Sequence, residues 1–525
     1  MLHRRLIAYS IMSAGLHVQA SAQSFNKRFD LYNELEGQTA WGVEVRIDGT
    51  ALIVFQGAYI ANDSSFASGL STVVVDADGQ FSTGYRLHVP GNSSYPGWAN
   101  CTMPLDTGGY ICFGATQNHP DSARLALYWI DPTGMVVQYR RIPLPGGAWI
   151  ARGGMQASDG GFLLVGENYP GSGFDALLVK TDSQGNLEWY RTYGAPGLRE
   201  SLTCIVPAPW GGYYIGGQKE LSTWNWHSWI LRVDSLGNVL GDDTYTVGQY
   251  RSGNAQLTLA PNGNVWVASA EAEGPGDYAY QAALYEVDPQ GNLVWHKQIG
   301  HVYRSVLFVT HQIPGTTNLI SAGFDDRTNL VEPLMGTLLR TTATGDSIWM
   351  RSYAYHDSLV ELGNAGFYDM QPAPDGGFIA VGFAEANWQQ GPNGWEQVYS
   401  RDVWVVKTDS MGCLEPGCHL IQGMQTQITN LRGALSVAPN PVAAGGAVQV
   451  SIALPENFTP QGALKLTLVS SDGRVVHEEV IGGAGHSERS EGVLTALRAP
   501  RSAGLYHIHL SDASRWISGA KLVVE

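Results

Sequence analysis

Aromatic side chains set beside amides are the residues of this sequence best suited to hold a ligand. Trp224-Asn225-Trp226-His227, followed by Trp229, form one such group; Asn387-Trp388-Gln389-Gln390 and Asn393-Gly394-Trp395 form another. An indole face stacks on a sugar ring while a neighbouring amide bonds its hydroxyls, so Trp224, Trp226, His227, Trp388 and Trp395 are the candidate binding residues. The competing reading is that these rings pack between structural elements, as large aromatics normally do. Carboxylates offer a second chemistry. Glu167, Glu220, Glu271, Glu273, Asp325, Asp326 and Glu385 all fall just after the second strand-like run of a repeat, where they should gather near one rim or a central channel. Glycoside hydrolysis needs two carboxyls flanking one bond, and no spacing among these seven selects a pair.

Other chemistry finds little support. His296, His301, His311 and His356 make no HxH or HExxH grouping, and no cysteines have CxxC spacing, so neither a metal centre nor a cofactor is expected. Asp76-Ala77-Asp78-Gly79 lacks the rest of an EF-hand loop. No GxSxG elbow is present. With 31 basic against 47 acidic residues the formal charge is −16, which disfavours nucleic acid and anionic membrane surfaces as partners.

The elements that must position these groups come from a repeat. The first glycine-bearing turn of successive copies sits at Gly49, Gly108, Gly160, Gly211, Gly263, Gly315 and Gly376, in steps of 59, 52, 51, 52, 52 and 61 residues. A second turn follows at Gly79, Gly134, Gly185, Gly237, Gly291, Gly345 and Gly412. Each copy holds four strand-like runs between Gly, Pro, Asn or Asp clusters; in the fourth they are Ser201–Pro207, Gly212–Gly217, Ser228–Val233 and Asn238–Thr246. A period of this size with four antiparallel strands is that of a propeller blade. The seventh copy lacks its fourth strand, and Phe25–Leu31 resembles that strand. The expectation is an all-β chain: a seven-bladed β-propeller over 23–420, closed by its N-terminal strand, followed by a small Ig-like β-sandwich.

At the second turn two copies read D-x-x-G-N-x-x-W, at Asp182–Trp189 and Asp288–Trp295. Aspartate opens an Asx-type turn, glycine takes the positive φ, and tryptophan packs between adjacent blades. The pattern is also similar to the tryptophan-docking turns of quinone-dependent dehydrogenases. That resemblance implies eight blades and a vicinal disulfide; this chain has seven copies and no adjacent cysteines. The spacing differs by one residue from sialidase Asp boxes.

Residues 1–22 read as a signal peptide, with His3-Arg4-Arg5, an apolar Leu6–Leu16 and Ala20-Ser21-Ala22 before the cut. No later stretch approaches the length of a membrane span. Cys413 and Cys418 bracket the turn sequence Leu-Glu-Pro-Gly and are expected to form a disulfide. Cys101 and Cys112 flank another turn and could face each other, which leaves Cys204 as a buried apolar side chain.

After a linker at 421–434, alternation in Val448–Ile452, Leu464–Val469 and Tyr506–Leu510 marks the sandwich, 435–525. Its motifs are Pro439-Asn440-Pro441, then Ser471-Asp472-Gly473-Arg474, then Ala503-Gly504-Leu505-Tyr506, ending Lys521-Leu522-Val523-Val524. This ordered set resembles the type A C-terminal sorting domain of the type IX secretion system, with Pro439, Asn440, Pro441, Gly473, Gly504, Tyr506 and Lys521 as its motif residues. The Cys-Leu-Glu-Pro-Gly-Cys segment before it also resembles propeller proteins carrying such domains. Arg515 and Trp516 are the less usual part of the tail. The resemblance implies export across the outer membrane of a Bacteroidetes-type bacterium, with the secretion machinery and its sortase as partners. It also implies release or attachment to surface lipopolysaccharide. The function expected is a secreted or cell-surface, non-catalytic propeller that binds a glycan or a protein. The alternative is a secreted hydrolase acting on glycans or peptides at the propeller channel.

Overall fold

Short apolar runs separated by glycine-bearing turns can satisfy their backbone only by pairing locally, and hairpins result. The computed structural model describes residues 24–525 except 30, 32–36, 61–65, 83, 90–91, 118–122, 170–172, 246–250, 273–279, 301–303, 327–333, 356–359, 392–393, 416–417, 419–426, 429–433, 455–457, 459–461, 471–473, 482–492 and 513–514. The signal-peptide reading and Gly473 therefore lie outside the described residues.

The second turns form as their residues dictate. The Asp182 carboxylate accepts the N–H groups of Gln184 (2.9 Å) and Asn186 (2.8 Å), while Gly185 adopts φ 75°. Asp234 and Asp288 repeat the arrangement. Seven antiparallel sheets of four strand positions follow one another along the chain, consistent with a seven-bladed propeller. Their first strands are Gln38–Val45, the interrupted pair Ser93–Pro96 and Thr102–Pro104, Ala148–Gln156, Glu200–Pro207, Gln256–Leu259, Val306–Gln312 and Val360–Pro372. Each first strand touches the next, and the last touches the first, so they line a closed ring.

Fourth-strand aromatics hold neighbouring sheets together. The ring of Trp189 lies over Gly237, Trp295 over Gly345 and Trp349 over Gly412, each glycine being the second turn of the following sheet. A Cβ at Gly345 or Gly412 would collide with the indole. Beside them Tyr193 donates its hydroxyl to the Gly237 carbonyl (2.8 Å) and Tyr353 to that of Gly412 (2.7 Å). The seventh sheet takes its fourth strand from Phe25–Phe29, which pairs antiparallel with Gly394–Thr408 from Phe25↔Lys407 to Phe29↔Val403. Phe25 then sits on Gly79 of the first sheet as Trp189 sits on Gly237.

The C-terminal region forms two smaller sheets around one core that includes Val448, Leu466, Tyr506, Ile508 and Leu522. One holds Leu435–Ala438, Ala447–Ile452 and Val493–Arg498; the other holds Leu464–Ser470, Val475–Ile481, Gly504–Ser511 and Arg515–Val524. A disulfide joins Cys413 to Cys418, whereas Cys101, Cys112 and Cys204 are free and buried.

Candidate binding surface

The first strands are not regular. In five sheets the register slips by one residue at one equivalent place, leaving Trp41, Arg152, Thr203, Phe308 and Tyr368 as the extra residues. A bulge re-aims the side chain it carries. In the second sheet the strand is broken at the corresponding place, and Asn100 there adopts φ 58°. The re-aimed side chains meet across neighbouring sheets. Trp41 stacks on Tyr368 with ring centroids 4.2 Å apart, and Phe308 meets Tyr368 edge-on at 5.1 Å. The Arg152 guanidinium lies 4.6 Å over the ring of Trp98. The ring of first strands thus presents half-buried aromatic faces and one arginine.

From Arg152 a band of contacts runs to the rim formed by the far ends of the second strands. Arg152 pairs with the buried Glu167 carboxylate, which also accepts the Tyr169 hydroxyl at 2.7 Å. Burial, with the Glu167 charge added, pushes the Tyr169 phenol up to about 12, so the hydroxyl stays a donor. Tyr169 then meets Phe174 (5.4 Å), and Phe174 stacks on Trp226 of the fourth sheet (5.9 Å, 24° between planes). Arg199 lies over Phe174 and, at 4.9 Å, over Trp224. Trp224 is held by its own backbone: it takes φ 66° in the turn, and its N–H is bonded by the Glu220 carboxylate. That turn leaves the indole 56% exposed. Arg152 lies beside the ring of Trp98, and Arg199 beside those of Phe174 and Trp224, each arginine next to a ring it can hold flat.

Of the candidates named from sequence, Trp224 and Trp226 belong to this band. The loop expected around them is a tight hairpin, because Tyr213–Ser222 and Asn225–Val233 pair down to the turn itself. Trp226 and His227 therefore lie in a strand rather than a loop. His227 is buried, which pushes its imidazole pKa down. Trp229 is buried with its N–H on Asp242 (2.7 Å). Trp388 and Trp395 fall in the strands of the long hairpin Phe378–Gly391 and Gly394–Thr408, their side chains outside the described set.

Glu167, Glu220, Glu271, Asp325 and Glu385 lie within or at the end of the second strands rather than in the loops after them, Asp326 directly follows its strand, and the five are engaged separately. Glu167 serves Arg152 and Tyr169, and Glu220 the Trp224 N–H. Glu271 accepts from His296 (3.0 Å) and Gln298 (3.1 Å), and Glu385 from Arg401 and Asn364. Asp325 accepts the Ser305 hydroxyl, Asp326 is buried beside it in sequence, and Glu273 lies outside the described residues. Glu200, next to Arg199, is pushed up to about 7 by burial but is fully enclosed, so no ligand reaches it. Among the described residues no group of three His, Cys, Asp or Glu is placed to hold a metal ion.

Sequence reasoning missed Trp41, Trp98, Arg152, Phe308 and Tyr368. A signal was present. Each bulged residue stands eight positions before the last residue of its first turn: Trp41 before Gly49, Arg152 before Gly160, Phe308 before Thr316, Tyr368 before Gly376.

In the C-terminal region three of the motif segments converge. The Asn440 amide donates to the Lys521 carbonyl (2.7 Å), and its oxygen accepts the Val523 N–H (2.9 Å), tying Pro439-Asn440-Pro441 to the terminal strand. Tyr506 pairs with Leu522 in the adjacent strand and donates its hydroxyl to Ser502 (2.9 Å). Gly504 opens the strand of Tyr506, Gly504–Ser511.

No family model matches the chain, and no curated protein matches it. Solved structures do. A protein of unknown function from Dyadobacter fermentans is 12% identical, with a TM-score of 0.43, covering 74% of this chain and 98% of its own. The polysaccharide lyase Uly1 is 9% identical at a TM-score of 0.42, covering 76% and 94%. A xylan β-1,4-xylosidase from Bacillus halodurans is 12% identical at 0.29, covering 73% and 97%. The likeness concerns the arrangement of sheets, and nothing about a substrate follows from it.

Proposed function

We propose that this chain is an exported binding protein whose first-strand ring and adjoining rim hold a glycan without turning it over. The observation that carries the reading is the chain of contacts from Trp98 through Arg152, Glu167, Tyr169 and Phe174 to Trp226, and through Arg199 to Trp224. Flat aromatic faces suit the apolar faces of sugar rings, and Arg152 and Arg199 suit hydroxyl or acidic substituents. The carboxylates favour binding over hydrolysis, since Glu167, Glu220, Glu271, Asp325 and Glu385 are each committed to a protein partner and Asp326 is buried. Titration of the full mature chain against a glycan array should find a saturable ligand. Trp224→Ala combined with Trp226→Ala should weaken it at least about tenfold, the loss of one strong aromatic contact. Turnover of the bound glycan, or undiminished binding by the double variant, would overturn the reading.

The C-terminal sandwich serves, in the same proposal, as a type A sorting domain recognised by the type IX machinery and its sortase. The protein then reaches the medium, or the cell surface with lipopolysaccharide as its anchor. The convergence of Asn440, Tyr506 and Lys521 on one end of the sandwich supports a single recognition patch. A chain lacking residues 435–525 should accumulate in the periplasm, resistant to added protease in intact cells. Its appearance on the surface would refute the assignment.

A further inference from the structure

Trp516, one of the two residues that fit the tail pattern least, is only 2% exposed. It does not belong to the sandwich core. It joins the cluster formed by Tyr353, Phe378, Trp404 and Leu414, which belongs to the sixth and seventh sheets and the segment after them. Its indole N–H donates to the Nδ1 of the buried His509 at 2.9 Å, so the ring is fixed from the sandwich side and enclosed from the propeller side. A second contact lies beside it. Glu415, inside the loop closed by Cys413–Cys418, has Oε2 3.7 Å from His507 Nδ1, and a Cβ on Gly519 would stand 3.0 Å from the Glu415 side chain. A third is made by the backbone. Gln427–Ile428 pairs in parallel with Ser352–Tyr353 on one side and with Arg515–Trp516 on the other, so the sixth sheet continues into the sandwich.

We infer that the C-terminal sandwich is docked on the outer edge of the sixth sheet, with Trp516 as its anchor and the disulfide-closed Glu415 loop as its seat. Cutting the chain between the two units does not release the sandwich; separation requires opening this contact. The outer edge of a sheet is where another strand can add, and at the Ser352–Tyr353 end of Ser347–Tyr353 that edge is taken by Gln427–Ile428, which in turn holds Arg515–Trp516. The inference holds whether or not the sandwich serves in sorting, because it depends only on the residues that join it to the propeller.

The test uses the full chain with a specific protease site placed within residues 429–433. After complete cleavage the 434–525 fragment should co-elute with the propeller in gel filtration at micromolar concentration. Elution apart from a folded propeller would overturn the inference. Trp516→Ala should weaken retention about 30-fold or more, as expected for a buried tryptophan anchor. Should that variant fold poorly, hydrogen exchange on the uncut wild type gives a second readout. The amides of Ser352 and Tyr353, where Gln427–Ile428 pairs with the edge, should be protected as strongly as those of a central strand, and free exchange at both would equally overturn it.

Discussion

Replacing Gly166 by alanine is expected to destabilise the propeller by about 1–3 kcal/mol, the range for overpacking a core, and to disrupt the Arg152–Glu167 contact with it. Gly166 stands in the second strand of the third sheet, opposite Ala151, where the bulge begins. An added Cβ would fall inside the contact distance of the Ile150 carbonyl oxygen. That obstacle is backbone held in a ladder, so it cannot swing aside as a side chain would. Gly114, Gly217, Gly323 and Gly382 occupy the same place in other sheets and meet the carbonyls of Tyr95, Ser201, Val306 and Gly366. In these sheets the glycine leaves room for the first strand to come close where Arg152, Phe308 or Tyr368 is thrown into the ring, whereas the first sheet makes its Trp41 bulge opposite Phe55, so the glycine relieves a local clash rather than creating the bulge. The alanine variant should show a lower denaturation midpoint by calorimetry and weaker ligand binding together. Gly57→Ala in the first sheet is the control. A Cβ there meets nothing nearer than 3.7 Å, so stability should move by no more than about 0.5 kcal/mol. Equal effects at the two sites would show that the cost does not come from the collision with the Ile150 carbonyl.

The period of the chain was legible because turn chemistry repeats in sequence as it does in space: Asp182, Asp234 and Asp288 each build the same turn with the same two N–H groups. Packing between sheets was legible in part. The tryptophan of D-x-x-G-N-x-x-W was assigned to an inter-blade contact, and Trp189 does lie over Gly237. The binding surface was far less legible. A bulged residue is chosen by a register slip, whose shift in alternation phase is hidden in first strands buried on both faces, as Gln38–Val45 is, and Trp41, Arg152 and Tyr368 share no residue type. Trp224 drew notice because it stands in a cluster; Trp98 and Tyr169 stand alone in sequence and gain partners only when neighbouring sheets come together. Trp516 looked anomalous because the tail was read by itself, and its reason lies on the propeller.

Raising the pH from 5 to 8 is expected to weaken the fold, through two carboxyls at the seam between the seventh and first sheets. Asp369 Oδ2 accepts the Val43 N–H (2.9 Å), which joins the two first strands, and Oδ1 accepts the Met370 N–H (2.8 Å). Two residues on, Gln371 accepts the Val45 N–H (3.0 Å) and donates to Glu44 (3.1 Å). Burial pushes Glu44 from 4.5 up to about 8, opposed by the Gln371 hydrogen bond and reinforced by the Asp369 charge. Burial likewise lifts Asp369 from 3.8 to about 7. Both folded pKa values lie above their unfolded ones, so between them the native chain binds more protons than the unfolded chain. Stability from these groups is then full below about pH 4, falls as pH rises, and is gone once pH passes the folded values. Each unit of pH in that window costs about 1.4 kcal/mol per group. Asp159 works in the opposite sense: the Lys180 hydrogen bond holds its pKa low, so its small contribution is lost under strongly acid conditions. Urea denaturation at pH 5, 6.5 and 8 should show the wild-type midpoint falling steadily. Glu44→Gln, which keeps the hydrogen bond to Gln371 and cannot ionise, should flatten that fall and exceed the wild type at pH 8. A wild-type midpoint independent of pH, or a variant that keeps the full slope, would show that the seam carboxyls do not hold their protons in the folded chain.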